Sequence, residues 1–204
     1  MNLLRTKSIN KQKGLSLIIV LILLSITMLL GISAVNISLM GERTARNDRD
    51  YQIAWQSAEA GLQDAELDID ISNKGTSSRL SNTSIFNPND IINFPASGCI
   101  GQGNYKGICA LEGSDAGPLW FTIDLTSESS PAVVFGSFTN RTFSSGEGGL
   151  KPRKSPRYII EALIDTAPGL DASASQEKYL YRITSLGFGP RDDIHAVTQS
   201  IFRK

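Results

Sequence analysis

Residues 13–40 read KGLSLIIVLILLSITMLLGISAVNISLM, and this stretch decides the fold. From Leu15 to Met40 run 26 residues without one charge. At about 1.5 Å per residue they make roughly 39 Å of helix, more than the ~30 Å needed to cross a hydrocarbon core. Ahead of them, residues 1–13 carry Arg5, Lys7, Lys11 and Lys13 and no acid. A cleavable secretory signal has an apolar core of about 7–15 residues, then small residues and a cut. Here Gly14 lies before the apolar run, so a cut at that glycine leaves the run on the mature chain. The sequence predicts a membrane-held subunit.

The basic leader reads as topology. Lys and Arg stay on the cytoplasmic side, so the chain after Met40 is expected to be exported. The 204 residues include 20 basic and 20 acidic side chains; loss of the leader leaves 16 against 20, a charge of −4. That balance does not advertise a nucleic-acid binder. Cys99 and Cys109 are the two cysteines, both in the exported part. An oxidising compartment makes them a disulfide closing a short loop, the alternative being two unpaired buried thiols.

Beyond Met40 the helix becomes amphipathic. Tyr51, Trp55, Ala58, Leu62, Ala65 and Ile69 form one stripe, while Asp50, Gln56, Glu59, Gln63, Asp64, Glu66 and Asp68 are expected to fill the remaining surface. A charged collar of Glu42, Arg43, Arg46, Asp48, Arg49 and Asp50 separates this half from the apolar one. One helix is predicted from about Leu15 to about Ile71, near 85 Å long, stopped at Ser72-Asn73-Lys74-Gly75. The expected segments are thus 1–14 as leader, 15–41 as apolar helix half, 42–71 as amphipathic half and 72–204 as globular domain. Within the last, 72–118 reads as a long connecting region pinned by the cysteines. Leu119–Thr126, Ala132–Thr139, Arg157–Ile164, Tyr179–Phe188 and Ile194–Phe202 read as strands. Tyr179, Tyr181 and Ile183 alternate with Leu180, Arg182 and Thr184 as in a half-buried strand. The expected fold is α+β, a long helix packed on an antiparallel sheet.

These residues resemble the type IV pilin superfamily, most of all the PilX-type minor pilins, with kinship to the tip pseudopilin of type II secretion. The leader, Gly14 and the apolar run match a prepilin cleavage site. The collar Glu42-Arg43-Thr44-Ala45-Arg46-Asn47, with Ala58-Glu59-Ala60-Gly61-Leu62-Gln63-Asp64-Ala65-Glu66, is similar to the helix signature of that subgroup. Pro156–Glu161 and Tyr181–Gly189 look like its strand motifs, and the cysteine loop with Gly107-Ile108-Cys109 is compatible. The resemblance implies a pilin-like fold, cleavage after Gly14 by an inner-membrane prepilin peptidase, and N-methylation of Leu15. It implies a single-pass inner-membrane subunit with a cytoplasmic leader and a periplasmic domain, later drawn into a fibre at the cell surface. Implied partners are other minor pilins and the major pilin through the N-terminal helix, and a PilY-type tip adhesin. An assembly subunit is expected, not an enzyme, with no cofactor.

Two departures carry information. Most major pilins place a glutamate at the fifth mature position, where this chain has Ile19. In the family that carboxylate is thought to pair with the amino terminus of the subunit already in the fibre, and burying it unpaired is costly. Ile19 therefore points to a subunit that enters first, primes the fibre and sits at or near its tip. The helix-breaking proline that major pilins often carry at mature position 22 is here Asn36, leaving Gly31 and Gly41 as weak points.

Other chemistry has thin support. His195 is the only histidine and no Gly-x-Ser-x-Gly pattern accompanies it. Gly101–Gly107 misses the dinucleotide fingerprint and reads as the flexible tip of the cysteine loop. Asp192-Asp193 and Asp165/Asp171 lack calcium-loop spacing and read as solvated turns. Asn82-Thr83-Ser84 and Asn140-Arg141-Thr142 fit a glycosylation pattern of little meaning in bacteria. Arg141, Lys151, Arg153, Lys154 and Arg157, flanked by Phe143 and Tyr158, would suit a DNA-binding or adhesive subunit, although a solvated loop is the plainer reading. The functional alternatives are such a binding module or the tip pseudopilin of a secretion system.

Overall fold

The computed structural model describes residues 15–70, 79, 85–113, 117–166 and 178–204. The leader with Gly14, the helix stop at Ser72–Gly75, Asn82-Thr83-Ser84 and Asp171 lie outside the described residues. The chain divides into two compact units, Met1–Asn47 and Asp48–Lys204. Helix α1 spans Leu15–Ile69, two residues short of the expected end. It runs without a break through Gly31, Asn36 and Gly41.

In the first unit, α1 exposes its large apolar side chains on every side from Leu17 to Met40. The hydroxyls in this stretch turn inward: Ser25 donates to Leu21 O at 2.8 Å, Thr27 to Leu24 O at 2.9 Å and Ser33 to Leu29 O at 3.0 Å. A hydroxyl satisfied by its own helix demands nothing from hydrocarbon. Among the described residues this is the one helix long and apolar enough to cross a membrane.

In the second unit, α1 packs on a five-stranded sheet. Strands β3 (Arg157–Ile164), β4 (Tyr179–Phe188) and β5 (His195–Phe202) form an antiparallel meander. Two-residue strands β1 (Ile108–Cys109) and β2 (Val133–Val134) share the other edge of β3, β1 parallel and β2 antiparallel to it. The sheet is therefore mixed, not purely antiparallel. On its helix side Tyr158, Ile160, Tyr181 and Ile183 meet Leu62, Ala65 and Ile69. On the far side Ile159, Leu186 and Phe188 are covered by Cys109, Ala110, Leu119, Leu125 and Ala132. Strand β4 is thus buried on both faces from Ile183 to Phe188, where its alternation predicts one covered face.

Three sequence readings are corrected. Leu119–Thr126 is no strand: Leu119–Thr122 is a short helix, α2. Its start is set by Pro118, with φ −64°, and by Glu161, whose carboxylate accepts from Leu119 N at 3.3 Å. Leu119 and Leu125 instead pack over the far face of the sheet, in one cluster with Ile159 and Leu186. The expected strand Ala132–Thr139 shrinks to β2 because the chain turns at Gly136, where φ is +78°. The stripe on α1 is also shifted. Tyr51 and Trp55 are exposed, whereas Asp64 and Asp68, expected on the surface, are fully buried.

Closeness decides the helix–sheet contact. A Cβ on Gly187 would strike the backbone of Ala54 and Ala58, and one on Gly61 would strike Ser185 Oγ. These glycines let the backbone of α1 lie directly on β4.

Candidate functional site

The domain is held to α1 by buried charge. Arg79 places Nε 3.0 Å from Asp68 Oδ1 and Nη2 2.9 Å from Oδ2. Its Nη1 donates to the carbonyls of Asn104 at 2.8 Å and Lys106 at 2.9 Å, and its guanidinium lies 3.7 Å from the Phe138 ring centre. Tyr158 donates to Asp68 Oδ2 at 3.0 Å. Burial, reinforced by the Asp68 charge, pushes the Tyr158 phenol well above its usual range. Asp64, one turn earlier, accepts from Gly136 N at 2.8 Å and Thr139 Oγ1 at 2.5 Å, with Arg141 3.6 Å away. Two carboxylates of α1 therefore fix two separate loops.

Cys99 and Cys109 form the disulfide. Around it Ile100 N donates to Ile108 O at 2.9 Å and Gly107 N to Ile100 O at 2.8 Å. Between them lies a single 3-10 turn, Gly103–Tyr105. The expected flexible tip is thus gripped from within by Arg79. No local pattern points to this grip, because Arg79 stands in a Ser- and Asn-rich stretch. A second network locks the far face. Arg182 reaches Glu161 at 3.0 Å and Glu112 at 2.7 Å. Burial pulls its pKa down, but the two carboxylates outweigh that and raise it.

The basic segment is largely neutralised. Arg153 pairs with Glu147 at 2.9 Å and lies 3.7 Å from Asp192. Lys154 and Arg157 share Glu128 at 3.2 and 2.7 Å, and the two cations lower the Glu128 pKa. Tyr158 points into the core, so it offers no ring to a base. Asp193 pairs with Arg191 at 3.4 Å and Asp165 with Arg203 at 3.0 Å. His195 is exposed at the start of β5.

Gly14, the expected processing residue, lies outside the described residues, and Leu15 begins α1. Ile19 lies one turn on, half-exposed at 50% like the apolar side chains around it. Together these features define a class: subunits with one apolar, membrane-length N-terminal helix and a small α+β domain built on that helix's polar half. The family model of the C-terminal part of the type IV pilus assembly protein PilX matches residues 40–204, and the PilX N-terminal model matches residues 13–63. The chain belongs to the PilX family of type IV pilus assembly proteins. No curated protein and no solved structure matches it.

Proposed function

We propose that this protein is a minor pilin that primes type IV pilus assembly and takes its place at or near the fibre tip. The observation that carries the reading is Ile19, an apolar side chain where major pilins hold a carboxylate, on a helix exposed on all sides in a PilX-family chain. Such a helix is stable in lipid or among copies of itself, so it exchanges one for the other. A subunit without the carboxylate needs no predecessor's amino terminus to neutralise it. In this reading the leader ends at Gly14, Leu15 becomes the methylated first residue, and the subunit waits in the inner membrane. Its partners are then other minor pilins, the major pilin and a PilY-type tip adhesin.

The paired state of Arg153, Lys154 and Arg157 favours this reading over DNA capture, because binding phosphate there would first break existing ion pairs. The test is Ile19→Glu in cells making the full chain, with fibres counted and the subunit located by immunogold labelling. Fewer fibres, or label moved away from the tip, is expected; unchanged fibre number and placement would reject priming.

A further inference from the structure

One edge of the sheet is broken up and the other is open. On the β3 side the edge consists of β1 and β2, two residues each. On the other side β5 is matched one to one with β4, from Phe188↔His195 to Tyr181↔Phe202, without a bulge. Gly189 N donates to Ile194 O at 2.8 Å, and antiparallel pairs alternate between bonded and non-bonded. Ala196, Thr198 and Ser200 therefore bond to β4, while Val197, Gln199 and Ile201 turn N–H and C=O away from it. The same alternation holds across the sheet: on β3, Ile160 N donates to Gly107 O and Ala162 O accepts from Glu112 N, both away from β4. Among the described residues, nothing bonds to the outward main chain of Val197, Gln199 or Ile201.

Natural sheets blunt a long edge with Lys, Pro, inward charge or a bulge, so that no further strand adds to it. His195–Phe202 reads HAVTQSIF and holds no Lys, Pro, Gly or acid. The layer over the far face of the sheet, with Leu119 and Leu125, covers Leu186 and Phe188 on β4. It does not reach β5, where Val197 is 46% and Ile201 64% exposed. The open edge is thus bordered by bare apolar surface.

We infer that β5 accepts an extended segment of a different protein subunit as one more strand of the sheet. Donors and acceptors that face outward together at every second residue are matched, group for group, by another extended backbone. The added segment has apolar side chains beside Val197 and Ile201 and is free of charge there, since β5 offers no charge between His195 and Arg203. A second copy of this chain does not fit. Two copies joined through the same edge pair antiparallel about a two-fold axis normal to the sheet. The stretches of α1 that lie on the two sheets then run in opposite directions. Subunits anchored in one membrane by their N-terminal helices rise from it in the same direction. The inference rests on the proposed membrane-held role at this step alone.

The test places p-benzoylphenylalanine at Val197 and, in a separate strain, at Ile201, in cells making the full chain. After irradiation, adducts are sized and mapped by mass spectrometry. The expected result is an adduct of both positions with one chain other than this one, attached at points about four residues apart, as side-by-side strands require. A proline at the other position, Ile201→Pro or Val197→Pro, removes an N–H that β4 does not use and should abolish the adduct. Lysine there, Ile201→Lys or Val197→Lys, keeps the N–H and should also abolish it, so the result does not hang on how the proline variants fold. No adduct from either position would overturn the inference and mark the edge as merely hydrated. Adducts between two copies of this chain, attachment points scattered over the partner, or adducts that survive the lysine variants would overturn it too. Priming is judged separately by Ile19→Glu, so each of these failures leaves that reading standing.

Discussion

Arg79 and Asp68 meet as a two-pronged ion pair with both side chains wholly buried, one from α1 and one from the chain beyond it. Desolvating two charges is costly, and further hydrogen bonds to both side chains offset part of that cost. Arg79 spends Nη1 on two loop carbonyls, and Asp68 takes a further bond from Tyr158. The pair therefore links helix, sheet and disulfide loop through one buried point.

Removing one partner should leave the other charge buried and alone. Arg79→Met or Asp68→Asn is expected to cost about 3–5 kcal/mol of domain stability. The double replacement should cost less than the sum of the two single ones. Urea unfolding of the detergent-solubilised full chain, followed by tryptophan fluorescence, measures both; strict additivity would mean that the two side chains act independently.

Stability should fall on the alkaline side. The phenols of Tyr158 and Tyr181 are both pushed up by burial, Tyr158 also by the Asp68 charge. A group whose folded pKa exceeds its unfolded value, about 10 for tyrosine, contributes stability fully below that value and loses it as pH rises further. The unfolding midpoint should thus be insensitive to these groups below about pH 10 and drop above it. Tyr181→Phe should flatten part of that drop. Tyr158→Phe should in addition cost about 1.5–3 kcal/mol at neutral pH, because it removes a hydrogen bond to a carboxylate. Midpoints taken between neutral pH and pH 12 test the pattern.

What could be read from the sequence followed from how far periodicity reaches. The rod was legible because 26 uncharged residues admit few alternatives. Strands β3, β4 and β5 were legible from β-branched and aromatic residues between turn clusters. The run LWFTIDLT was misread because a short apolar segment looks alike in a strand and in a buried turn of helix. What marks its place is packing of Leu119 and Leu125 in one cluster with Ile159 and Leu186, a long-range contact that no local period reveals. Asp64 and Asp68 were misplaced because a sheet covers a wider face of a helix than a line of apolar residues marks. Their spacing of one turn, among Ala and Gly, was the available signal. Arg79 left no local trace at all.

Breaking the disulfide should loosen the loop more than the fold. Loop-closure entropy for Cys99–Cys109 sets a cost of about 2–4 kcal/mol. Arg79 still grips the carbonyls of Asn104 and Lys106 after reduction, and β1 still pairs with β3. Cys99→Ser with Cys109→Ser should therefore lower the unfolding midpoint while keeping the far-ultraviolet spectrum. Combined with Arg79→Met, the same pair of changes should unfold the domain at ordinary temperature, because neither clamp remains. A folded triple variant would show that the loop needs neither.

Glycines along α1 and β4 should separate helix propensity from packing. Gly31 meets nothing within 4 Å of a built Cβ, so Gly31→Ala fills open space and gains about 0.8–1 kcal/mol of local helix stability. The domain's unfolding midpoint should not move, since the change lies in the first unit. Gly187→Ala puts the same methyl into the backbone of Ala54 and Ala58, which cannot swing aside as a side chain would. Overpacking a well-filled core costs about 1–3 kcal/mol even against side chains, so a loss at or above the top of that range is expected. The same urea titration read for both variants tests the contrast. If Gly187→Ala were tolerated as well as Gly31→Ala, the helix would have to stand farther from β4 than the direct contact described above.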